Sequence, residues 1–294
     1  MSRQSNKKSP LLLFLAALIW GVAFVAQSVG MDYVGPWTFN ACRFFLGGLV
    51  LLPFCLKKRE VFRANRKVTL IGGICCGLAL SSASMFQQTG IMYTTVGKAG
   101  FITALYIIIV PLLGIFFHKK PSGKCMLAAL LALVGFYLLC MTESLSLQLG
   151  DGLVLVCAVL FSVHILIIDH FSPLADGVQL SCIQFFTSAI LCGVGTFVFE
   201  QPSMGNILQG WMPILYAGIM SCGVAYTLQI LGQRDMDPTI ASLILSLESV
   251  ISMLAGWVLL GQALSGRELL GCVVVFAAII LAQLPDKKKT PQAV

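Results

Sequence analysis

The chain has 294 residues, of which 58% are hydrophobic and only 11% are charged, and its mean hydropathy is +0.92. This composition excludes a soluble globular domain and a disordered chain, and it predicts an all-α protein that crosses a membrane several times. A formal net charge of +7 is also found in nucleic-acid-binding proteins, but the positions of the basic residues, given below, exclude that class.

Ten apolar segments follow one another along the chain, and a bilayer is crossed by a helix of about 20 apolar residues. In chain order the ten predicted spans cover residues 11–29, 37–56, 68–88, 93–117, 124–141, 150–168, 178–199, 211–231, 239–260 and 267–284. The connections are too short to form a soluble domain. Pro111, inside the fourth span, is expected to kink that helix because it removes one backbone hydrogen bond.

The basic residues alternate between the two sides of the predicted bundle. With a cytoplasmic N-terminus, the inner segments hold 16 of the 19 lysines and arginines, and the outer segments hold only Arg267. Positive loops face the cytoplasm, so both termini are predicted to lie there. The basic residues then lie beside anionic lipid head groups, and no nucleic-acid partner is expected.

The sequence also carries an internal repeat at an offset of 142 residues, or 141 near the start of each half. The matched residues include Gln87 with Gln229, Gly90 with Gly232, Gly114 with Gly256, and Phe44-Phe45 with Phe185-Phe186. Because each half has five spans, the second half is predicted to be inverted in the membrane, as in secondary transporters. The predicted units are residues 1–146 and 147–286, followed by a basic cytoplasmic tail, 287–294.

Four stretches resemble the EamA-type, ten-span branch of the drug/metabolite transporter superfamily. They are LAALIWGVAFVAQ (15–27), RFF (43–45), KAGFITALYIIIVPLLG (98–114) and LSLESVISMLAGWVLLGQALSGRELLG (245–271). The resemblance covers nearly the whole chain. It implies a central cavity lined by spans one, three, four, six, eight and nine. It further implies movement of small metabolites, mostly outward, across a bacterial inner membrane.

Glu248 is the strongest candidate for a functional group, because it lies near the middle of the ninth span. A carboxylate at that depth is costly unless it faces a partner or water. We expect it to bind the ammonium group of a substrate or to carry a coupling proton. The alternative is a protonated carboxyl that is hydrogen-bonded to serines of its own helix. Lys98, near the outer end of the fourth span, would hold a substrate carboxylate; the alternative is a lysine that snorkels to the interface.

Further polar and aromatic residues inside the spans are candidates for the lining of the same cavity. They are Trp20, Tyr106 (the repeat partner of Glu248), His164, Gln87, Gln88, Tyr226 and Gln229. Packing for the tryptophan, a structural role for the histidine and helix–helix hydrogen bonds for the amides are the alternatives. Arg43 is assigned a structural role, capping carbonyls or pairing with an acid, because the resemblance makes the second span peripheral.

These features predict a secondary transporter that works by alternating access and exports amino acids or related zwitterions. Export of organic cations or drugs is the alternative, for which replacing Lys98 by methionine would leave transport intact. No HExxH, GxSxG or phosphate-binding glycine loop is present, so an enzyme is not expected, and neither a cofactor nor a metal is predicted. The expected partners are a small molecule, the lipid bilayer and, as a coupling ion, the proton. The protein is expected to be a monomer or a homodimer.

Overall fold

The structure is a computed structural model, and it describes residues 8–94, 96–116, 122–140, 149–260 and 265–284. Every regular element in these ranges is helical, so the predicted all-α class is confirmed. The first half contains α1 (Ser9–Gly30), α2 (Pro36–Lys57), α3 (Arg59–Ala64), α4 (Arg66–Ile91), α5 (Val96–Ala104), α6 (Tyr106–Phe116) and α7 (Gly123–Cys140). The second half contains α8 (Leu149–Phe171), α9 (Gly177–Phe199), α10 (Met204–Gln209), α11 (Trp211–Leu215), a π-helical segment (Tyr216–Tyr226), α12 (Thr227–Gln233), α13 (Pro238–Leu245), α14 (Leu247–Leu260) and α15 (Gly266–Gln283).

The described residues include seven helical stretches that are long and apolar enough to cross a membrane, and three shorter apolar helices. The shorter ones are Ile102–Ile115, Gly123–Gly135 and Leu269–Ala282. Each of the ten falls on one predicted span. Large apolar side chains such as Phe197, which is 80% exposed, cover the outer faces and suit contact with lipid. The chain is therefore a multi-pass membrane protein, and the crossing of all ten helices stays a prediction.

The fourth and ninth predicted spans are both interrupted near their middles. One is broken at Leu105, between α5 and α6, and the other at Ser246, between α13 and α14. The turns are closed by short i→i+3 hydrogen bonds, such as the one from the Ile108 N–H to the Leu105 carbonyl at 3.0 Å. Pro111 lies inside α6, which continues to Phe116, so the kink expected at this proline stays a prediction and is separate from the break at Leu105. Proline is not the common cause of the two breaks, since the ninth span is interrupted at Ser246 without one.

The helices α2 and α9 pack against each other in opposite directions, and each end of the pair is held by a carboxylate. At one end, Glu200 accepts hydrogen bonds from the backbone N–H groups of Trp37 and Thr38, at 2.8 and 2.9 Å. At the other end, Asp176 caps the start of α9 and pairs with Lys58 at 2.8 Å. Both contacts stabilise a helix N-terminus, where the backbone N–H groups otherwise lack partners.

Glycines let the other helices approach closely. A Cβ added to Gly73 or Gly77 of α4 would lie 2.5 or 2.6 Å from the Cβ of Ile183 or Thr187 on α9. A Cβ at Gly21 of α1 would lie 2.9 Å from the backbone oxygen of Glu248. Small residues at helix crossings are expected in membranes, where packing rather than the hydrophobic effect drives association. They bring α1 directly onto the interrupted ninth span.

Candidate functional site

A cavity lies at the centre of the bundle, where α1, α2, α4, α6, α8 and the second-half helices from the π-helical segment to α14 meet. Six of the predicted residues line it: Trp20, Gln87, Tyr106, Tyr226, Gln229 and Glu248. The space open to the centres of water molecules is about 40 Å³. One water needs roughly 10–15 Å³ by this measure, so the cavity holds only a few waters. This space is smaller than a metabolite, so a substrate could occupy the cavity only after the surrounding groups had moved apart.

Glu248 forms the polar centre of this cavity. It lies in the first turn of α14, directly after the break in the ninth span, and it is 6% exposed. The Tyr106 hydroxyl, at the start of α6, donates a hydrogen bond to Glu248 Oε1 at 3.1 Å. The helix dipole favours an acidic group in a first turn. The two interrupted spans thus bring a carboxylate and a hydroxyl together where their second helical segments begin.

The serines of the ninth span do not bind this carboxylate. The hydroxyl of Ser246 donates to the Leu243 carbonyl at 2.7 Å, and that of Ser249 donates to the Gly100 carbonyl at 2.8 Å. Ser242 and Ser252 likewise donate to carbonyls of their own helical span. Serine hydroxyls that bond to backbone carbonyls satisfy themselves locally. The alternative of a carboxyl held by neighbouring serines therefore lacks its hydrogen bonds.

Four pairs of residues matched by the internal repeat line the cavity together. They are Trp20 with Phe161, Phe24 with Ile165, Gln87 with Gln229, and Tyr106 with Glu248. Outside the cavity, Phe44 stacks against its own repeat partner, Phe185, with ring centroids 6.2 Å apart. The structure therefore brings residues that the repeat relates together in one cavity.

One wall of the cavity is aromatic. The rings of Trp20 and Tyr226 are 4.5 Å apart between centroids and tilted by 60°. The Trp20 indole N–H donates to the Ser221 carbonyl at 3.3 Å, and the Tyr216 hydroxyl donates to the Ile19 carbonyl at 3.1 Å. Both bonds join α1 to the π-helical segment, and departures from regular helix of this kind are frequent at functional sites. The aromatic faces are thus held in fixed positions beside the polar centre.

Two predicted residues lie behind the wall rather than in it. His164 is fully buried; its Nε2 lies 3.2 Å from Gln184 Oε1, and its ring packs against Tyr226 at 6.1 Å. Gln88 Nε2 donates to the Gln27 carbonyl at 3.0 Å. His164 thus packs against the aromatic wall and Gln88 joins α4 to α1, and a part for either residue in substrate binding stays a prediction.

Lys98 belongs to α5, but its side chain lies outside the described residues, so its role stays a prediction.

The two glutamines of the cavity differ in their hydrogen bonding. Gln87 Nε2 donates to Thr103 Oγ1 at 3.4 Å, whereas Oε1 of Gln229 is buried without a partner. Within the described ranges, no group of three histidine, cysteine, aspartate or glutamate side chains could hold a metal ion.

Arg43 lines the cavity as well, although its sequence position did not predict this. It lies in α2, is 2% exposed, and contributes to the cavity together with Gln27. The expected role in pairing with an acid is wrong among the described residues, because its hydrogen bond goes to Gln27 Oε1 at 3.0 Å. A charged residue within an apolar span indicates a functional group, whereas the resemblance, which places the second span at the periphery, favours a structural role.

The fold and the cavity define a polytopic membrane transporter, and comparison with known proteins narrows this class. The model of the EamA-like transporter family matches the chain twice, over residues 7–141 and 148–284. The chain therefore belongs to the EamA-like transporter family. The family and the relatives below are transporters rather than enzymes, as predicted, and the chain is accordingly a transporter of small molecules.

Relatives match over most of their length. An uncharacterised transporter of Archaeoglobus fulgidus is 32% identical over 273 residues, which cover 92% of this chain and 84% of that protein. The S-adenosylmethionine/S-adenosylhomocysteine transporter of Chlamydia muridarum is 23% identical, over 90% of each chain. The uncharacterised inner membrane transporter YedA of Escherichia coli is 22% identical, over 92% of this chain and 89% of YedA. A solved crystal structure of another protein shares the fold, with a TM-score of 0.80 at 21% identity, over 95% of this chain and 97% of that one.

Proposed function

We propose that this protein is a secondary transporter that exports amino acids or related zwitterions across a bacterial inner membrane by alternating access. The observation that carries the proposal is the buried carboxylate of Glu248, which lines the central cavity and is hydrogen-bonded to its own repeat partner, Tyr106. In this proposal Glu248 binds the ammonium group of the substrate. It is also the group in the cavity to which a coupling proton would bind.

The alternating-access part rests on two inverted five-helix halves, residues 1–146 and 147–286. Helix directions support this arrangement: α2 and α9, which the repeat relates, are antiparallel, as the contacts of Glu200 and Asp176 at opposite ends of the pair require. The matched breaks at Leu105 and Ser246 support it as well. Discontinuous helices at corresponding positions of two repeats are typical of transporter substrate sites. Rocking of one half against the other would open the cavity to each side in turn.

The charge of Glu248 supports a substrate with an ammonium group. Moving a carboxylate out of water is costly unless it gains partners. Tyr106 supplies one hydrogen bond, and a bound cation would supply the countercharge. The aromatic faces of Trp20 and Tyr226 add an attractive surface for a cation, because aromatic rings carry negative charge on their faces.

The names of two relatives support the proposed substrate class and the proposed location in the inner membrane. S-adenosylmethionine and S-adenosylhomocysteine, named for the Chlamydia muridarum relative, each end in an amino-acid group. Such a group carries both an ammonium and a carboxylate. YedA is named an inner membrane transporter. With the cytoplasmic bias of the basic residues, this supports an inner-membrane location with both termini in the cytoplasm.

Export of organic cations is the second candidate, and one observation favours it. The cavity combines Glu248 with an aromatic wall, and these two elements alone are sufficient to bind a cation. The two candidates differ in whether a substrate carboxylate contributes to binding.

The test is counterflow into proteoliposomes that contain the purified protein, with labelled amino acids and labelled organic cations. We expect uptake of at least one amino acid, and replacement of Glu248 by glutamine should reduce it by at least about 10-fold, since bonds to charged groups contribute about 1.5–3 kcal/mol. Glu60→Gln, in the exposed helix α3, is the matched control and should transport normally. Uptake that survives Glu248→Gln at every pH would make Glu248 structural and refute the proposal.

A further inference from the structure

We propose that Arg43 binds the carboxylate of the substrate through the Nε and Nη2 edge of its guanidinium group. This inference rests on the proposed zwitterion transport and assigns its second charged contact. The site is the central cavity, which both Arg43 and Glu248 line. The ligand class is a molecule that carries an ammonium and a carboxylate group on the same carbon atom, as an α-amino acid does.

The hydrogen bonding of Arg43 leaves one edge of the guanidinium unused. Nη1 donates to Gln27 Oε1 at 3.0 Å, whereas Nε and Nη2 are buried and have no hydrogen-bond partner. These two nitrogens form one side of the planar guanidinium group. Two parallel N–H groups on one side match the two oxygens of a carboxylate, which is the geometry of a bidentate pair.

Two aromatic rings also hold Arg43 in place. The guanidinium carbon lies 4.8 Å from the ring centroid of Phe44 and 5.8 Å from that of Phe39. A cation over an aromatic ring is attracted by the ring, but its N–H groups gain no hydrogen bond from this contact. The backbone carbonyl of Gln27 accepts a hydrogen bond from Gln88 Nε2, which holds this part of α1 against α4. The arginine is therefore positioned by α1, α2 and α4 before any ligand binds.

The charge of Arg43 also lacks a partner. No carboxylate oxygen of the described residues lies within 4.0 Å of its nitrogens, so Arg43 and Glu248 line one cavity without forming an ion pair with each other. A charged residue kept inside a membrane without a countercharge is costly and marks a functional site. A zwitterion placed between the two side chains would supply both countercharges at once. A purely structural arginine would instead be expected to have its donors satisfied.

The first experiment uses the unaltered protein and matched competitors. We first choose the labelled L-amino acid, among the twenty, that gives the largest counterflow. Its counterflow is then measured in the presence of three unlabelled competitors: the same amino acid, its decarboxylated amine and its deaminated acid. For phenylalanine the last two are 2-phenylethylamine and 3-phenylpropionate. We expect the amine to compete about 10- to 100-fold more weakly than the amino acid, because it lacks the charge-assisted bonds to Arg43.

The outcomes separate the two proposals. An amine that competes as well as the amino acid overturns the role of Arg43 but leaves the transport of ammonium compounds by Glu248 standing. An acid that competes as well as the amino acid overturns the role of Glu248 and leaves that of Arg43. If no amino acid is transported, both the zwitterion class and the assignment of Arg43 are wrong.

The second experiment changes the arginine. Arg43→Met should lower counterflow of the amino acid at least about 10-fold while leaving that of the amine within about threefold, since only the carboxylate contact is lost. Arg43→Lys keeps the charge but lacks the two parallel N–H groups, so its counterflow of the amino acid should lie between that of the unaltered protein and that of Arg43→Met. An equal loss of counterflow for the amino acid and for the amine in a folded Arg43→Met protein would mean that the arginine has a structural role. If the variants do not fold, the competition experiment with the unaltered protein decides whether Arg43 binds the carboxylate.

Discussion

The hydrogen bond between Tyr106 and Glu248 can be tested by a substitution that removes one atom, the hydroxyl oxygen of Tyr106. Tyr106→Phe deletes the hydroxyl that donates to Glu248 Oε1 at 3.1 Å and leaves the ring, which is 3% exposed, in its packing. The serine hydroxyls of the ninth span are occupied by backbone carbonyls, so they do not replace the lost donor. The carboxylate would then lose the hydrogen bond that joins it to α6.

The expected magnitude follows from the charge of the acceptor. A hydrogen bond to a charged group contributes about 1.5–3 kcal/mol, and one between neutral groups about 1 kcal/mol. We therefore expect Tyr106→Phe to lower the free energy of unfolding by about 2 kcal/mol. Because every 1.4 kcal/mol is tenfold in an equilibrium, the affinity for substrate should fall by roughly 10-fold where Glu248 must be held in position to bind it.

The assays are SDS titration of the purified protein in mixed micelles, for the free energy of unfolding, and counterflow in proteoliposomes, for transport. Tyr226→Phe is the matched control: it removes the same atom from the same cavity, and the Tyr226 hydroxyl donates no hydrogen bond to the described residues. The double variant of Tyr106→Phe with Glu248→Gln completes a mutant cycle. Its effect on stability should be smaller than the sum of the two single effects by about 1 kcal/mol or more, because both remove one interaction.

Two results would refute this reasoning. Equal effects of Tyr106→Phe and Tyr226→Phe would mean that the hydrogen bond contributes nothing beyond the removal of a hydroxyl. Strict additivity in the mutant cycle would mean that Tyr106 and Glu248 do not act on each other. Either result would remove the pair from the centre of the proposed site.

Two further predictions concern packing and capping. Gly21→Ala should lower the free energy of unfolding by about 1–3 kcal/mol, because the new Cβ would lie 2.5 Å from the Ile251 Cβ. Gly152→Ala is the control and should not destabilise the protein, because nothing lies within 4 Å of the added Cβ. Equal melting temperatures of the two variants would contradict the close approach at Gly21. Lys58→Met should lower the free energy of unfolding by less than about 1 kcal/mol, because the bond of Lys58 to Asp176 is solvent-exposed. Asp176→Ala should lower it by about 1 kcal/mol more, because this change also removes the N-cap of α9. SDS titration of both variants tests this order.

Much of the fold could be predicted from the sequence, because a bilayer imposes a simple rule on every crossing helix. Apolar runs of sufficient length must form helices, so the hydropathy pattern located the helices to within a few residues. The repeat was visible because polar and glycine pairs such as Gln87 and Gln229 recur at one offset. The breaks at Leu105 and Ser246 were not predicted, since neither is caused by a proline and the turn of a broken helix is as apolar as the helix itself.

The site was predicted in part. Glu248 and Tyr106 could be connected because the repeat superposes them, and the structure joins them by a hydrogen bond. That His164 and Gln88 do not line the cavity could not be predicted, because each position depends on a rotation of its helix by a fraction of a turn. Arg43 was recognised as an intramembrane charge but assigned to the periphery, and only the packing of α2 against the π-helical segment brings it to the cavity.

The sequence by itself determined the class of protein, the approximate helix boundaries and the location of the buried acid, because these depend on which residues tolerate hydrocarbon. The tertiary structure alone decided which polar groups share a cavity, how small that cavity is, and that Arg43 lines it with two buried nitrogens, Nε and Nη2, left without partners. The physical reason is that lipid and neighbouring helices are equally apolar. Hydropathy therefore cannot distinguish a face turned towards lipid from one turned towards the protein, and only packing makes that choice.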